Sequence, residues 1–380
     1  MKSISLFEPN IGSLEKKLVI KSINENQISS YGYFTNLFEK EVKKITLSKY
    51  NLATSSGSSA LFVAFKSIGI KKDEIVITQS YTFTGTTNAI ILNNSIPLLL
   101  DIKKDNLNLD LDNLERFLKN DTIKKGKFIY HKTSKKKITC LCLVLTLGVI
   151  PDLKRVKRIS KMYKLKVVFD AACALGQKYL NKKLTDFCDI AIYSLNGSKN
   201  ITSGAGGVIS TEKFKYYDFA FKFSNNGKIL NAYDYKMIGF NLKMSSLNAA
   251  LGLGQLKRFN YFLKKKKEIK NSYKKNLNPI KLYNSKYDLG NKLHWLNFCI
   301  LNDKKKRNNI INALRKNNIM VSKFWLPMHM QTTKKHFLLT RCDNTQYIYD
   351  RILVLPSSTF LKIKTIKKIC KIIKNIYVQK

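Results

Sequence analysis

The chain has 380 residues, 44% of them hydrophobic and 11% aromatic, with a formal net charge of +44 from 69 Lys and Arg against 25 Asp and Glu. That apolar content supports one large core, or a large domain with a smaller one, and excludes a disordered tail protein. The charge points towards nucleic acid, but the excess is almost all lysine, spread along the chain with Asn and Ile, which share its A/T-rich codons.

Nucleic acid is therefore not expected as the primary partner, although salt-sensitive adhesion to polyanions is. The opening "MKSISLFEPNIGS" has no apolar signal-peptide region. The longest apolar run, Ile138–Ile150, falls short of the roughly 20 residues a membrane helix needs. A cytoplasmic protein with no membrane partner is expected. Seven scattered cysteines without a C-x-x-C pair, and four histidines without ligand spacing, suggest reduced thiols and no metal.

In chain order, the first informative stretch is "ATSSGSSALFVAFKSIGI". Ser56, Gly57, Ser58 and Ser59 precede an amphipathic helix, so backbone N–H groups and hydroxyls converge where a phosphate would sit. Ordinary serine capping gives the same pattern. "EIVIT" (Glu74–Thr78) reads as a buried strand, and "QSYTFTGTTNAI" follows with Phe83, placed either to lie on a flat ring or to pack in a core.

A strand at "SIPLLLDI" and a helix at "LDNLERFLKN" (Leu111–Asn120) come next, then a polar insertion at 122–137 that resembles a hairpin. "ITCLCLVLTLG" is a core strand, and "PDLKRVKRISKMYKL" opens with Pro and Asp as a helix start does. "LKVVFDAACALGQ" ends an apolar strand on Asp170, either a helix cap or a buried anion that needs a cationic partner. "DIAIYSL" is a further strand and carries Ser194. After it, Lys199 stands alone among small neutral residues, "NGSKNITSGAGG".

Strand–helix alternation from residue 50 to 210 predicts an α/β fold with a large, mostly parallel sheet and ligands at its carboxyl edge. One long helix is expected over Met244–Lys270, its "FLKKKKEIKNSYKK" end a solvated face. The texture then changes, giving a large α/β domain over 1–255 and a small α+β domain over 256–380.

A phosphate nest, a buried aspartate and an isolated lysine, in that order on an α/β chain, are what pyridoxal 5'-phosphate requires. The cofactor supplies an electron sink; the protein supplies an amine, a carboxylate for the ring nitrogen and a phosphate grip. A free lysine, with a pKa of about 10.4, needs desolvation to be a nucleophile at neutral pH.

The chain also resembles the DegT-type (DegT/DnrJ/StrS) sugar-nucleotide aminotransferases, which have the aspartate aminotransferase fold (fold type I). The resemblance runs nearly end to end through "ISSYGYFTNLFEKEV", "SSGSSAL", "SYTFTGTTNAI", "FDAACALG", "SLNGSKNITSGAGG", "IGFNLKMSSLNAALGLGQL" and "FWLPMHMQ". It implies that Lys199 is the lysine joined to the cofactor and Asp170 the partner of its ring nitrogen. Ser58, Ser59 and Ser194 would hold the phosphate, Phe83 would stack on the ring, and Asn241 would reach the neighbouring subunit's phosphate in a homodimer with shared active sites. Cys173 fills a position where the family often has Gln, Glu or His, Leu145 one often held by His, and Leu242-Lys243 replace the usual Tyr-Arg.

The insertion and the "NGSK" turn are most like the branch acting in legionaminic-acid-type synthesis. The resemblance thus implies amination of a nucleotide-linked keto-deoxysugar (UDP-4-keto-6-deoxy-N-acetylhexosamine first, GDP- or dTDP-sugars as alternatives) with glutamate as donor, for surface polysaccharide. Two other readings are a sugar dehydratase of the same family, which carries histidine in place of the lysine, and a non-catalytic RNA-binding relative.

Overall fold

Strand ends, rather than strands, decide where this protein can do chemistry. The computed structural model describes residues 3–30, 32–228, 235 and 237–378. The strands are β1 (Tyr50–Thr54), β2 (Ile75–Gln79), β3 (Ile96–Leu100), β4 (Thr122–Lys125), β5 (Phe128–His131), β6 (Lys137–Val144), β7 (Lys166–Asp170), β8 (Ile190–Ser194), β9 (Gly207–Thr211), β10 (Asn297–Ile300), β11 (Leu338–Leu339) and β12 (Ile352–Leu355).

Ten of them form one sheet in the order β1-β9-β8-β7-β6-β2-β3-β11, with the β4–β5 hairpin attached through β5 to β6. The run from β8 through β7, β6, β2 and β3 to β11 is parallel; β9 is antiparallel to both β8 and β1. This is the expected mostly parallel α/β sheet. The hairpin expected at 122–137 is present, and it widens the sheet instead of hanging from it.

Strands β2 and β6 to β8 are mostly apolar runs because helices cover both faces, so alternation would leave polar groups in the core. Register then sets the site. Val144 pairs with Asp170, Asp170 with Ile192, Ser194 with Gly207, and Gly207 with Thr54. The carboxyl ends of β6, β7, β8 and β1 therefore meet at one edge, beside the start of β9, where ligands bind in open α/β sheets.

The helices at Leu111–Asn120 and Leu153–Met162 lie where the sequence places them, capped by Asp110 and Asp152. The single long helix expected over Met244–Lys270 does not exist. Two helices, Ser246–Lys257 and Phe259–Asn276, meet at Arg258, whose backbone (φ −94°, ψ 7°) kinks the path. No proline or glycine causes this. The Arg258 guanidinium reaches the buried Glu15 carboxylate at 2.7 Å and 2.9 Å and the carbonyl of Asn10 at 3.3 Å.

The small residues of the first of these helices pack within the chain. A Cβ on Gly252 would meet Phe38, and one on Gly254 would fall 2.8 Å from Glu15 Cγ, so the helices Ser13–Asn24 and Tyr33–Thr46 take up this stripe. Beyond it, β10 and β12 form a second, two-stranded sheet, and the helices Lys304–Lys316 and Ile363–Val378 enclose a separate apolar cluster including Ile310, Leu353 and Ile369. Among the described residues no helix is long and apolar enough to cross a membrane.

Candidate active site

At the carboxyl edge of the sheet lies a cavity of about 280 Å³. Ser58, Phe83, Asp170, Cys173, Ser194 and Lys199 all line it. Two other candidates do not. Ser59 turns into the helix cap: its N–H donates to Ser56 Oγ at 3.0 Å, and its hydroxyl lies 2.8 Å from Ser56 Oγ and 3.0 Å from Ser55 Oγ. Asn241 is exposed and bridges to Asn225 outside the cavity, on a segment that runs beside the end of β1.

At one end of the cavity the helix Gly57–Ser67 presents its N-terminus, capped by Ser56. The first N–H groups of a helix have no intrahelical acceptor, so Gly57 and Ser58 offer donors beside the Ser58 and Ser194 hydroxyls. Glycine is needed here. A Cβ on Gly57 would sit 2.9 Å from Ser194 Cβ, and one on Gly207 only 2.3 Å from the Ser56 carbonyl oxygen.

Asp170 closes the floor. Its carboxylate accepts from the Thr86 hydroxyl at 2.6 Å and from the Ala172 N–H at 3.1 Å. Burial pushes its pKa up, against these bonds and the positive charge of Lys199. An anion so placed is costly unless a proton-bearing group faces it.

Lys199 Nζ donates to Cys173 Sγ at 3.3 Å and lies 3.8 Å from the centroid of the Trp295 ring. Burial raises the Cys173 pKa, so this contact is to a thiol more than to a thiolate. The Trp295 indole N–H donates to the Ser198 carbonyl at 2.6 Å, gripping the turn that carries Lys199. Gly148 permits the approach. At φ +87°, its Cβ would lie 2.8 Å from the Cys173 carbonyl and 3.4 Å from Trp295 N.

The wall beside the lysine is aromatic. Phe324 stacks on Trp295 and on Trp325, with centroids 5.9 Å and 5.7 Å apart, and Phe7 lies against Trp295 at 5.7 Å. Phe83, 55% exposed, faces Trp325 at 6.4 Å. Among the described lining residues Lys199 is the one cation and Asp170 the one carboxylate.

Sequence reasoning missed Thr86 and the aromatic wall. Thr86 is three residues after Phe83 on one short helix, a spacing that could have found it. The chain has two tryptophans and both line the cavity, but nothing in their local sequence tells a wall from a core.

These residues fit pyridoxal phosphate. A helix N-terminus with two hydroxyls suits its phosphate, the buried and incompletely compensated Asp170 its protonated ring nitrogen, and an amine stands on the same cavity wall. The comparisons agree with the geometry. Residues 9–374 match the DegT/DnrJ/EryC1/StrS aminotransferase family. The chain is 28% identical to GDP-perosamine synthase of Escherichia coli O157:H7, covering 87% of this chain and 86% of that one. It is 29% identical to UDP-4-amino-4,6-dideoxy-N-acetyl-beta-L-altrosamine transaminase of Campylobacter jejuni, covering 72% and 70%. Its fold superposes on Helicobacter pylori PseC, an aminotransferase of pseudaminic acid biosynthesis, with a TM-score of 0.86 at 23% identity over 99% of both chains. The chain belongs to the DegT/DnrJ/EryC1/StrS aminotransferase family: it is a pyridoxal-phosphate-dependent sugar aminotransferase.

Proposed function

We propose that this enzyme aminates the ketone of a UDP-linked 4-keto-6-deoxy-N-acetylhexosamine, with glutamate as amine donor, for surface polysaccharide. The observation that carries the reading is the aromatic cavity wall beside the lysine, where Phe7, Trp295, Phe324 and Trp325 offer apolar ring surface and no second cation. Aromatic faces of this kind suit the C–H face and methyl group of a deoxysugar. The Campylobacter relative, whose name prints a UDP-linked 4-amino-4,6-dideoxy sugar, supports the same choice. A GDP-linked 4-keto-6-deoxyhexose is the second reading, favoured by the GDP-perosamine synthase relative.

Each site residue then has a task. Pyridoxal phosphate, when bound, supplies the electron sink that stabilises negative charge at the reacting carbon. Lys199 is the lysine that joins the cofactor. Released from it, the Lys199 amine accepts the proton from the donor's α-carbon and later delivers a proton to the sugar carbon that receives the nitrogen. Asp170 keeps the ring nitrogen protonated, and Thr86 fixes the carboxylate for that purpose. Ser58, Ser194 and the N–H groups of Gly57 and Ser58 hold the phosphate, with Ser59 fixing the turn through its bonds to Ser55 and Ser56. Phe83 covers a ring face and Cys173 borders the ring beside Lys199. Asn241, exposed and outside its own cavity, completes the neighbouring subunit's phosphate site in a homodimer.

The test is direct. Purified holoenzyme is given glutamate and, in turn, UDP-, GDP- and dTDP-linked 4-keto-6-deoxysugars, and products are read by mass spectrometry. Turnover of the UDP-N-acetyl sugar well above the others is expected. Exclusive turnover of a GDP-sugar would replace the first reading with the second.

A further inference from the structure

The lysine-rich stretch Phe262–Lys275 is mostly a wet face, but one of its lysines is turned inward. Lys266, on the helix Phe259–Asn276, is half-buried, and its ammonium donates to the Trp295 carbonyl at 2.7 Å. That places it one residue away from Lys199 in the chain of contacts. The same Trp295 sets its ring 3.8 Å from Lys199 Nζ and binds the Ser198 carbonyl through its indole N–H. Lys266 and Lys199 also line a second, smaller cavity of about 20 Å³, together with Asn200, Thr202, Gln255 and Ser358.

We propose that Lys266 is a positioning residue for Lys199. By holding the Trp295 backbone it fixes the indole against the Lys199 nitrogen and the turn that carries it. The inference rests on Lys199 being the cofactor-bearing lysine.

The electrostatics are consistent with this. A charged donor makes the stronger hydrogen bond to a carbonyl, so the grip on Trp295 is tightest while Lys266 keeps its proton. Burial brings the Lys266 pKa down to about 8, with Cys173 opposing, so Lys266 is charged below that pH and neutral above it. The other groups facing it are few. Cys173 comes from the loop after β7, Glu8 lines the small cavity from an exposed position, and Lys267 and Lys270 flank Lys266 on its own helix. From the segment before β10 come Lys292 and the paired His294–Asp288, whose Nε2–Oδ2 distance is 2.6 Å. Glu8 is water-screened and His294 already pairs with Asp288, so neither cancels a charge on Lys266.

The experiment uses holoenzyme and reads the pH dependence of the bound cofactor's visible absorption, which follows the proton on the nitrogen joining it to Lys199. Lys266→Met should move that titration downward by a few tenths of a pH unit, as the indole's attraction for the cation at that nitrogen weakens, and lower kcat several-fold with little change in KM. Lys266→Arg, which keeps charge and donor, should restore both. If the Met variant does not fold, Lys266→Leu, which also lacks the donor, should shift the titration the same way. An unmoved titration in a folded, cofactor-loaded Met or Leu variant overturns the proposal. Borohydride reduction and peptide mapping of the wild type separate the two claims: an adduct on Lys199 with an unmoved titration defeats Lys266 alone, whereas an adduct elsewhere defeats the Lys199 assignment beneath it.

Discussion

Asp170 shows how one side chain can trade stability for chemistry. Its carboxylate is buried with bonds from Thr86 and Ala172, and burial raises its pKa. In cofactor-free protein, folded Asp170 holds its proton to a higher pH than unfolded Asp170, whose pKa is about 4. Its contribution to stability is therefore full below pH 4 and is lost as pH rises through the folded value. Asp170→Asn should leave the cofactor-free protein at least as stable as wild type at pH 7.5, with the difference shrinking towards pH 4.5, as thermal melts at both pH values would read. The same variant should lose about 100-fold or more in kcat, because a neutral amide cannot keep the ring nitrogen protonated. A destabilised variant with near-normal kcat would make Asp170 only a cap. The burial of Asp170 was legible because it ends an apolar strand, while the choice between helix cap and ligand partner was not. Trp295 was not, since what makes it part of the site is a neighbour nearly a hundred positions away.

At the scale of elements, the Arg258 kink ties the helix that carries Lys266 to the amino-terminal segment. Glu15 is fully buried and accepts from Arg258, from Gln255 at 2.7 Å and from the Gly12 N–H at 2.9 Å. Burial opposes its ionisation, but bonds from its own backbone N–H, Arg258, Gly12 and Gln255 outweigh that and hold its pKa below the ordinary value. The stability it contributes is present above the unfolded glutamate pKa of about 4.3 and is lost as pH falls through the folded value. Glu15→Gln should cost about 2–3 kcal/mol at pH 7, discounted for the partial exposure of Arg258. Urea melts should show that penalty shrinking as pH falls below about 4; a penalty independent of pH would assign it to packing. The strands were legible in "ITCLCLV" and "LKVVFD", where β-branched runs have one reading. The kink was not, because the pull on Arg258 comes from a partner more than two hundred residues earlier.

For the whole molecule, the decisive question is what covers Asn241. It is exposed, and its segment also exposes Tyr235, Ile238 and Phe240. The small residues of the helix Ser246–Lys257 are consumed inside the chain, so the shared-site proposal rests on Asn241 and this apolar segment. Mixing inactive Lys199→Ala protein with inactive Asn241→Asp protein, whose new charge should repel a phosphate, gives hybrid dimers with one doubly altered site and one intact site. Partial activity should return as subunits exchange. No recovery despite proven exchange, or full activity of Asn241→Asp alone, would place Asn241 outside the neighbour's site. The overall α/β layout was readable because strand–helix alternation is local, whereas a dimer would depend on surfaces that no local pattern marks.

The central claim is that Lys199 carries the cofactor, and one measurement reaches it directly. Purified holoenzyme is reduced with borohydride, digested and mapped by mass spectrometry. The account predicts a single pyridoxyl adduct on the peptide containing Lys199, absent from Lys199→Ala protein. An adduct on Lys266 or any other lysine, with Lys199 unmodified, would contradict it.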